Sequence, residues 1–283
     1  MPPADQTLAA TARVVAPPTP LASCVRAFVI RDTTGRLPLP ANQRLNHFPA
    51  SAMCSVSWIL EGKVQVPDGA AAFPPVALGG PRTRPRVSYN PGPVHVFIVL
   101  FFPQALHALT GLDMSQYTDR FVALETVAAS PWQALSRQVM EAPGDEARVE
   151  LLSNFLGPRW QAARAAGAAP GSRLGDWVNS LAMHVAASGW GRSARNVERR
   201  IKVWAGQPLR GLRRFHRAER SFLETRASME AGTVSWAEAA AEGGFADQAH
   251  LCREVRAVTG MTPTELARRI RDDESYWVYR IWS

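Results

Sequence analysis

Basic side chains recur on one face of a predicted helix near residue 200. Counting 100° per residue places Val197 and Ile201 on one side of that helix, as an apolar stripe. Arg195, Arg199 and Lys202 fall on the opposite side. A helix of this kind can pack through its apolar stripe while its basic face donates hydrogen bonds to guanine edges or to phosphate. These residues therefore predict a helix that contacts nucleic acid.

The same pattern returns 54 residues later in the chain. The offset aligns Arg199 with Arg253, and in both helices the arginine lies opposite an apolar stripe. A shorter predicted helix precedes each copy, at 176–187 and at 235–242. A glycine and then a proline follow each copy: Gly206 and Pro208, then Gly260 and Pro263. A single charged face is usually only a solvated surface, but its duplication in matching surroundings predicts two helix–turn–helix units.

The segment that joins the two units is also basic. Its arginines follow the i, i+3, i+4, i+7 spacing of one helix face: Arg210, Arg213, Arg214 and Arg217. Positions 192–226 hold eleven basic and three acidic residues, so this segment carries a net charge of +8, equal to that of the whole chain. Charge of this density suits the neutralisation of phosphates with release of counterions.

Length and composition limit the classes of protein to which this chain can belong. The chain has 283 residues, of which 46% are hydrophobic and 20% charged, which suits two globular domains and excludes wholesale disorder. Three cysteines are too few and too scattered for a disulfide framework or a CxxC metal site. No apolar run reaches the roughly 20 residues that span a bilayer, and the N-terminus lacks the pattern of a signal peptide. We therefore expect a cytoplasmic protein with no membrane partner.

Element patterns divide the chain into four parts. We expect a flexible tail at 1–20, a β-rich domain at 21–112, a helical connector at 113–166 and an all-α domain at 167–283, with a linker at 162–172. The predicted strands are rich in Val, Ile, Phe and Trp: 25–31, 54–60, 63–66 and 94–102. The expected fold class is α+β, with a β-rich N-terminal domain and two helix–turn–helix units at the C-terminal end. The connector is also a candidate surface for a homodimer.

The second unit carries a family resemblance. Residues 234–266 resemble the second helix–turn–helix of AraC/XylS-family transcription regulators, and residues 192–209 match the first more loosely, with a shorter exit loop. The motifs that carry the likeness are a turn, a helix start and a helix end: Gly244-Phe245, Asp247-Gln248-Ala249-His250 with Arg253, and Thr259 to Pro263. The resemblance covers about 110 C-terminal residues. It implies a transcription regulator, expected as an activator, that places its two recognition helices in successive major grooves.

The resemblance also implies which side chains reach DNA. Together with the basic positions Lys202 and Arg213, the assigned residues are Arg195, Glu198, Arg199, Gln248, Ala249, His250, Cys252 and Arg253. Glutamine and arginine are the donors expected for adenine and guanine edges. Glu198 is left with two interpretations, an acceptor for cytosine or a salt bridge to Lys202. Ala249 offers only a methyl contact to thymine, and Cys252 is most simply a small filler.

A shorter resemblance lies at the end of the β-rich domain. Here a predicted strand ends at Phe102-Pro103, a short helix follows, and Gly111-Leu112 and Thr118-Asp119-Arg120 come next. These residues resemble the sensor domain of one subgroup of the same family, over about 30 residues. The likeness implies an N-terminal domain that senses an unidentified small-molecule effector or a protein partner. The expected partners are therefore double-stranded DNA, RNA polymerase and that effector or protein.

The residues give little support to catalysis. A metal-binding cupin needs clustered His and Glu, yet no two of the six histidines lie closer than 12 residues apart, and only His47 and His95 are candidates to meet in space. Cys24 and Cys54 lack the cysteine cluster that would activate a methyl-accepting thiolate. We therefore expect no enzyme, metal or cofactor, while control by a protein partner without a small-molecule ligand stays open. Six apolar strand residues are expected in the core rather than around a pocket: Val56, Trp58, Ile59, Phe97, Ile98 and Leu100.

Overall fold

The structure, a computed structural model, describes residues 12–35, 38–67, 72–164, 174–187 and 194–281. Within these ranges strands occupy the N-terminal part and helices follow to the C-terminal end, which confirms the predicted α+β fold class. The strands are β1 Ala12–Val15, β2 Val25–Asp32, β3 Leu45–Phe48, β4 Cys54–Glu61, β5 Val76–Gly79, β6 Arg86–Tyr89, β7 His95–Phe101 and β8 Phe121–Ala123. The helices are α1 Pro103–Thr110, α2 Ser130–Glu141, α3 Asp145–Ala163, α4 Leu174–Ala187, α5 Ala194–Ala205, α6 Leu209–Ala231, α7 Trp236–Glu242, α8 Gln248–Thr259, α9 Pro263–Asp272 and α10 Trp277–Arg280.

The strands form one six-stranded antiparallel sheet and a separate two-stranded pair. In the large sheet the order is β1-β2-β7-β4-β5-β8, and β3 pairs with β6. Strands β2, β7 and β4 lie side by side at its centre, where Val99 is aligned with both Phe28 and Val56. Because alternate residues of a strand point to opposite faces, this register puts the three buried side chains on one face of the sheet.

Both faces of the sheet are covered by helices. On one face Trp58 packs with Trp132 of α2 and Leu152 of α3 in one large apolar core. The other face carries Ile98 and Leu100, which lie towards the C-terminal helices. The apolar sides of α2 and α3, which lie in the segment expected to be a connector, are thus buried against the sheet.

The structure differs from the expected strands and boundaries in three places. Strand β1 lies in the segment expected to be a flexible tail, because Ala12–Val15 pair with β2 along one edge of the sheet. Strand β8 lies in the expected connector and forms the other edge, against β5. The predicted strand at 63–66 is reduced to isolated bridges from Gln65 to Ala72 and Tyr89. The N-terminal sheet therefore extends from residue 12 to residue 123.

Glycines and capping side chains set the helix ends in the C-terminal half. Gly206 and Gly260 follow α5 and α8 with φ of 71° and 83°, a left-handed conformation that favours glycine. Ser235 and Thr262 accept hydrogen bonds from backbone N–H groups in the first turns of α7 and α9, at 3.4 and 3.3 Å. The glycines aligned by the 54-residue offset thus end their helices in the same way.

The two halves of the chain share one core. The ring centroids of Phe102 and Trp177 lie 5.6 Å apart, and Ile201 and Leu212 are buried in the same cluster as the sheet. The predicted linker at 162–172 falls largely outside the described residues. The helical half is therefore docked on the N-terminal domain.

The C-terminal segment 273–281 docks on the second face of the sheet. Arg31 of β2 pairs with Glu274 at 2.7 Å, with 3% and 10% of the two side chains exposed. The indole N–H of Trp277 donates to Oδ1 of Asn46 at 2.8 Å. A buried ion pair and a buried hydrogen bond thus fix this end of the chain to strands β2 and β3.

Candidate nucleic-acid interface

The first predicted recognition helix, α5, exposes the side chains assigned to DNA. All four are on the solvent side: Arg195, Glu198, Arg199 and Lys202. Ile201, on the opposite side, is only 1% exposed. Glu198 and Lys202 form the salt bridge that the sequence allowed, with 3.7 Å between Oε1 and Nζ. An exposed pair of this kind contributes little to stability. Each side chain can therefore leave the pair and bind a ligand with only a small loss of free energy.

The second predicted recognition helix, α8, has the same two sides. Gln248, Ala249 and Arg253 are exposed. Leu251 and Val258 are buried, against α7 and against the shared core. The helix therefore packs through its apolar stripe and presents Arg253 at the position that Arg199 occupies in α5.

Two of the assigned residues make contacts within the second unit. Nδ1 of His250 accepts from the N–H of Ala246 at 3.3 Å, and its ring meets the Phe245 ring at 5.5 Å between centroids. Asp247 holds this arrangement in place, because its carboxylate accepts from the N–H of His250 at 2.6 Å. Cys252 is half-buried. His250 and Cys252 therefore border the outer face of α8 and do not lie at its centre.

The glycine–phenylalanine turn holds the second unit together. Phe245 is 6% exposed and packs with Ala240 and Leu251 in a small core between α7 and α8. A Cβ atom on Gly243 would lie 2.7 Å from the Phe245 ring, so the ring fits only against a glycine. The turn is a structural element that sets the position of α8.

The four arginines of the basic stripe on α6, the joining helix, have two kinds of surroundings. Arg210 and Arg213 are exposed. Arg214 and Arg217 lie 3.1 and 3.9 Å from the carboxylate of Glu254 on α8. Glu254 was not predicted to have a role, although an isolated acid within a basic helix is a signal for an ion pair. These two arginines therefore attach α6 to α8, the second predicted recognition helix.

Both units contact the N-terminal domain near the C-terminal ends of α5 and α8, the two predicted recognition helices. The hydroxyl of Thr118 donates to the carbonyl of Gly206 at 2.9 Å, directly after α5. The N–H of Ala50 donates to the carbonyl of Val258 at 2.7 Å, in the last turn of α8. The N-terminal domain therefore contacts the ends of both α5 and α8 directly.

The Thr-Asp-Arg stretch noted in the sequence shapes this contact. Asp119 has φ of 59°, which is uncommon for a residue other than glycine. Its carboxylate accepts from the N–H of Thr83 at 2.7 Å, and its own N–H donates to the carbonyl of Pro81 at 2.8 Å. Asp119 therefore fixes the segment that begins at Pro81, next to the end of α5.

The two aligned glycines meet prolines of this same segment. A Cβ atom on Gly206 would lie 2.8 Å from Cγ of Pro81, and one on Gly260 would lie 3.4 Å from Cγ of Pro85. One five-residue segment of the N-terminal domain, 81–85, thus touches the equivalent point in both helix–turn–helix units.

A cavity of about 280 Å³ lies between the second face of the sheet and the C-terminal helices. Ile59, Ile98 and Leu100 line it from the sheet, so half of the apolar strand residues expected in the core face this cavity instead. Phe222 of α6 and Val255 of α8 line it from the helical half. Successive side chains of a strand point to opposite faces of the sheet. The side chains on one face therefore fill the core, and those on the other face form the cavity wall.

Ion pairs close part of the cavity wall. Arg26 of β2 pairs with Glu219 of α6 at 3.1 Å, and Arg31 pairs with Glu274. Each pair joins the sheet to the helical half, so contacts between the two halves of the chain border the cavity.

The residues considered for catalysis occupy ordinary structural positions. Nε2 of His95 lies 3.1 Å from Oδ1 of Asp145, and burial lowers the pKa of His47. Cys24 and Cys54 are buried, which raises the pKa of both thiols. Among the described residues, no group of three His, Cys, Asp or Glu side chains could hold a metal ion. Within the same ranges, no helix has the length and apolar character needed to cross a membrane.

One family model matches the chain. It is a domain of unknown function, DUF6597, and it matches residues 13–123. This range coincides with the sheet from β1 to β8. A comparison with curated proteins finds no match.

Solved structures of ToxT from Vibrio cholerae are similar to this chain over most of its length. A ToxT crystal structure gives a TM-score of 0.37 at 11% identity, over 81% of this chain and 95% of that chain. An apo ToxT variant gives 0.38 at 11% identity, over 85% and 97%. Wild-type ToxT with a bound unsaturated fatty acid gives 0.33 at 12% identity, over 84% and 96%. The likeness extends across both the sheet and the helices, at low TM-score and low identity.

Proposed function

We propose that this protein is a sequence-specific DNA-binding transcription regulator that inserts α5 and α8 into successive major grooves, under the control of its N-terminal domain. The observation that carries the proposal is the duplicated outer face. Arg199 and Arg253 occupy equivalent, exposed positions on two helices whose opposite sides are buried. A recognition helix needs this combination of one face for packing and one for base edges.

The exposed faces supply a set of contacts to bases and phosphates. In α5 the base-reading residues are Arg195, Glu198 and Arg199, with Lys202 beside them. In α8 they are Gln248, Ala249 and Arg253, of which Gln and Arg can pair with adenine and guanine. His250 and Cys252 lie about 100° to either side of Leu251 and reach the groove from the edges of this face. Arg213 on α6, exposed and outside both helices, contacts phosphate.

The N-terminal domain controls DNA binding through its contacts with both recognition helices. The cavity between the halves favours a small-molecule effector over a protein partner, because it is concave and largely apolar, as ligand sites are. Double-stranded DNA is the main partner, and RNA polymerase is the partner of an activator in the cytoplasm. A homodimer would use the outer surfaces of α2 and α3. No catalytic step, metal or cofactor enters this role.

Selection of bound sequences from random duplex DNA by the purified full-length protein tests the proposal. The expected result is enrichment of two short conserved blocks about one helical turn, roughly 34 Å, apart. A folded protein that enriches no sequence at low salt would overturn it. Enrichment of a single block would show that only one of the two units reads bases.

A further inference from the structure

Segment 81–85 of the N-terminal domain lies where the outer faces of α5 and α8 end. Gly206 follows Arg199 by seven residues, and Gly260 follows Arg253 by the same number. Seven residues are about 20° short of two full turns, so each glycine is nearly in line with its arginine and about 10.5 Å further along the helix. The N–H groups of both glycines still donate to carbonyls four residues back, at 2.7 and 2.8 Å, as in a helix. The segment that touches both glycines is therefore next to the faces proposed to read DNA.

Arg84 is the exposed arginine of this segment. Its neighbours Arg82 and Arg86 are half-buried and have contacts inside the domain. Arg82 donates to the carbonyl of Pro49 at 3.2 Å, and the guanidinium of Arg86 lies 4.6 Å from the centre of the Phe121 ring. Arg84 makes no ion pair or hydrogen bond within the ranges that the structure describes. Its charge is therefore available to a ligand.

The backbone on both sides of Arg84 is held in place. The N–H of Thr83 donates to the carboxylate of Asp119 at 2.7 Å, and the N–H of Asp119 donates to the carbonyl of Pro81 at 2.8 Å. Pro85 follows Arg84 and favours extended backbone at the residue before it. A side chain on a fixed backbone loses less conformational freedom when it binds.

The charges next to Arg84 leave this surface positive. Asp119 is the acid bound to the segment, and the exposed Arg120 directly follows it in the chain. The charge of Arg120 offsets that of Asp119, so the charge of Arg84 remains in excess. Lys202, one turn before the end of α5, is also exposed on the outer face. The surface between the ends of α5 and α8 therefore suits an anion.

We propose that Arg84 binds a phosphate of the DNA backbone between the two major grooves that α5 and α8 enter. Successive major grooves on one side of a duplex are separated by a minor groove, which has a phosphate strand along each edge. A segment that joins the ends of both helices lies opposite these phosphates. The inference rests on the proposed function and adds to it, because the N-terminal domain then contributes to DNA affinity directly as well as controlling it.

Salt-titrated binding of the full-length protein to its selected site tests the inference by comparing Arg84→Ala with Lys63→Ala. Lys63 is exposed and follows the end of β4, whereas Gly79, just before the segment, is aligned with Ser55 at the start of β4. The control therefore removes a positive charge at the opposite end of the sheet.

Arg84→Ala should weaken binding to selected and random DNA alike and lower the slope of log affinity against log salt by about 0.9. The advantage of the unchanged protein over this variant should therefore shrink about 3.5-fold between roughly 50 and 200 mM salt. Arg84→Lys keeps the charge and should keep the slope, and Lys63→Ala should bind as the unchanged protein does. Because Arg84 is exposed, its variants should melt at an unchanged temperature.

A duplex with methylphosphonates in place of the phosphates between the two sequence blocks locates the contact. Neutralising these phosphates should cost the unchanged protein more affinity than it costs Arg84→Ala, by about the factor that the substitution itself costs on the normal duplex. Equal costs in the two proteins would show that Arg84 does not bind these phosphates, and the inference would be wrong.

The remaining outcomes separate this inference from the proposed function. Equal affinities and slopes for Arg84→Ala and Lys63→Ala would overturn the inference and leave DNA binding standing. Tighter binding by Arg84→Ala than by the unchanged protein would also overturn it, because the segment would then obstruct DNA. A folded protein that binds no duplex at low salt would overturn the proposed function, and the inference with it.

Discussion

Replacement of Arg199 or Arg253 by alanine separates base reading from folding. Both side chains are exposed, and neither makes an ion pair within the ranges that the structure describes. The residues that hold the two helices in place, Ile201 and Leu251, lie on the opposite sides and are each 1% exposed. We therefore expect each substitution to change the free energy of unfolding by no more than about 0.5 kcal/mol, as surface substitutions do.

The expected effect on DNA binding is much larger. A bidentate contact between arginine and guanine is worth about 1–3 kcal/mol of discrimination, which corresponds to about 5-fold to about 150-fold in relative affinity. Arg199→Ala should relax the preference in one block of the operator and Arg253→Ala in the other. Because the proposed function places α5 and α8 in successive major grooves, the two relaxed blocks should lie about one helical turn apart.

Sequencing of selected sites for each variant, together with binding to random DNA, measures both effects. Lys63→Ala is the matched control, since it removes an exposed basic side chain from the N-terminal domain, away from α2 and α3. It should leave sequence preference and affinity unchanged. Equal losses for specific and random DNA in both Arg199→Ala and Arg253→Ala would refute the reasoning, because neither side chain would then read a base.

Three further substitutions test other parts of the molecule. Arg213→Ala should weaken binding to all DNA sequences alike, because it removes a contact to phosphate. It should also lower the slope of log affinity against log salt by roughly one unit. A change confined to one sequence would contradict this role. Phe245→Ala should lower the free energy of unfolding by about 3–5 kcal/mol, measured by urea denaturation, and a variant with unchanged melting would show that the turn does not hold α8. Glu274→Gln removes the charge that faces the buried guanidinium of Arg31 and should destabilise the protein by about 3–5 kcal/mol, whereas the exposed Glu146→Gln should have little effect.

The elements that the sequence predicted well are those with strong local patterns. Strands β2, β4 and β7 match the predicted 25–31, 54–60 and 94–102 closely, because runs of β-branched and aromatic residues mark central strands. Strands β1 and β8 have only four and three residues and lie at the edges of the sheet, where composition carries a weaker signal. The outer faces of α5 and α8 follow directly from helical periodicity.

The docking of the two halves could not be predicted from local patterns. Arg31 and Glu274 are separated by 243 positions, and nothing in the residues around either one indicates the other. Periodicity could show that Ile98 and Leu100 face away from Phe97, but not that a cavity lies on their side.

Segment 81–85 contacts both aligned glycines, so its length bears on the distance between the ends of α5 and α8. Four residue steps of extended chain span at most about 14 Å, so Pro81 and Pro85 fix how far apart the ends of α5 and α8 are held. One inserted residue would lengthen the segment by up to about 3.5 Å, close to the rise of one base pair. For the proposed regulator, we therefore expect a change in the length of this segment to alter the preferred spacing of the two operator blocks without altering their sequences.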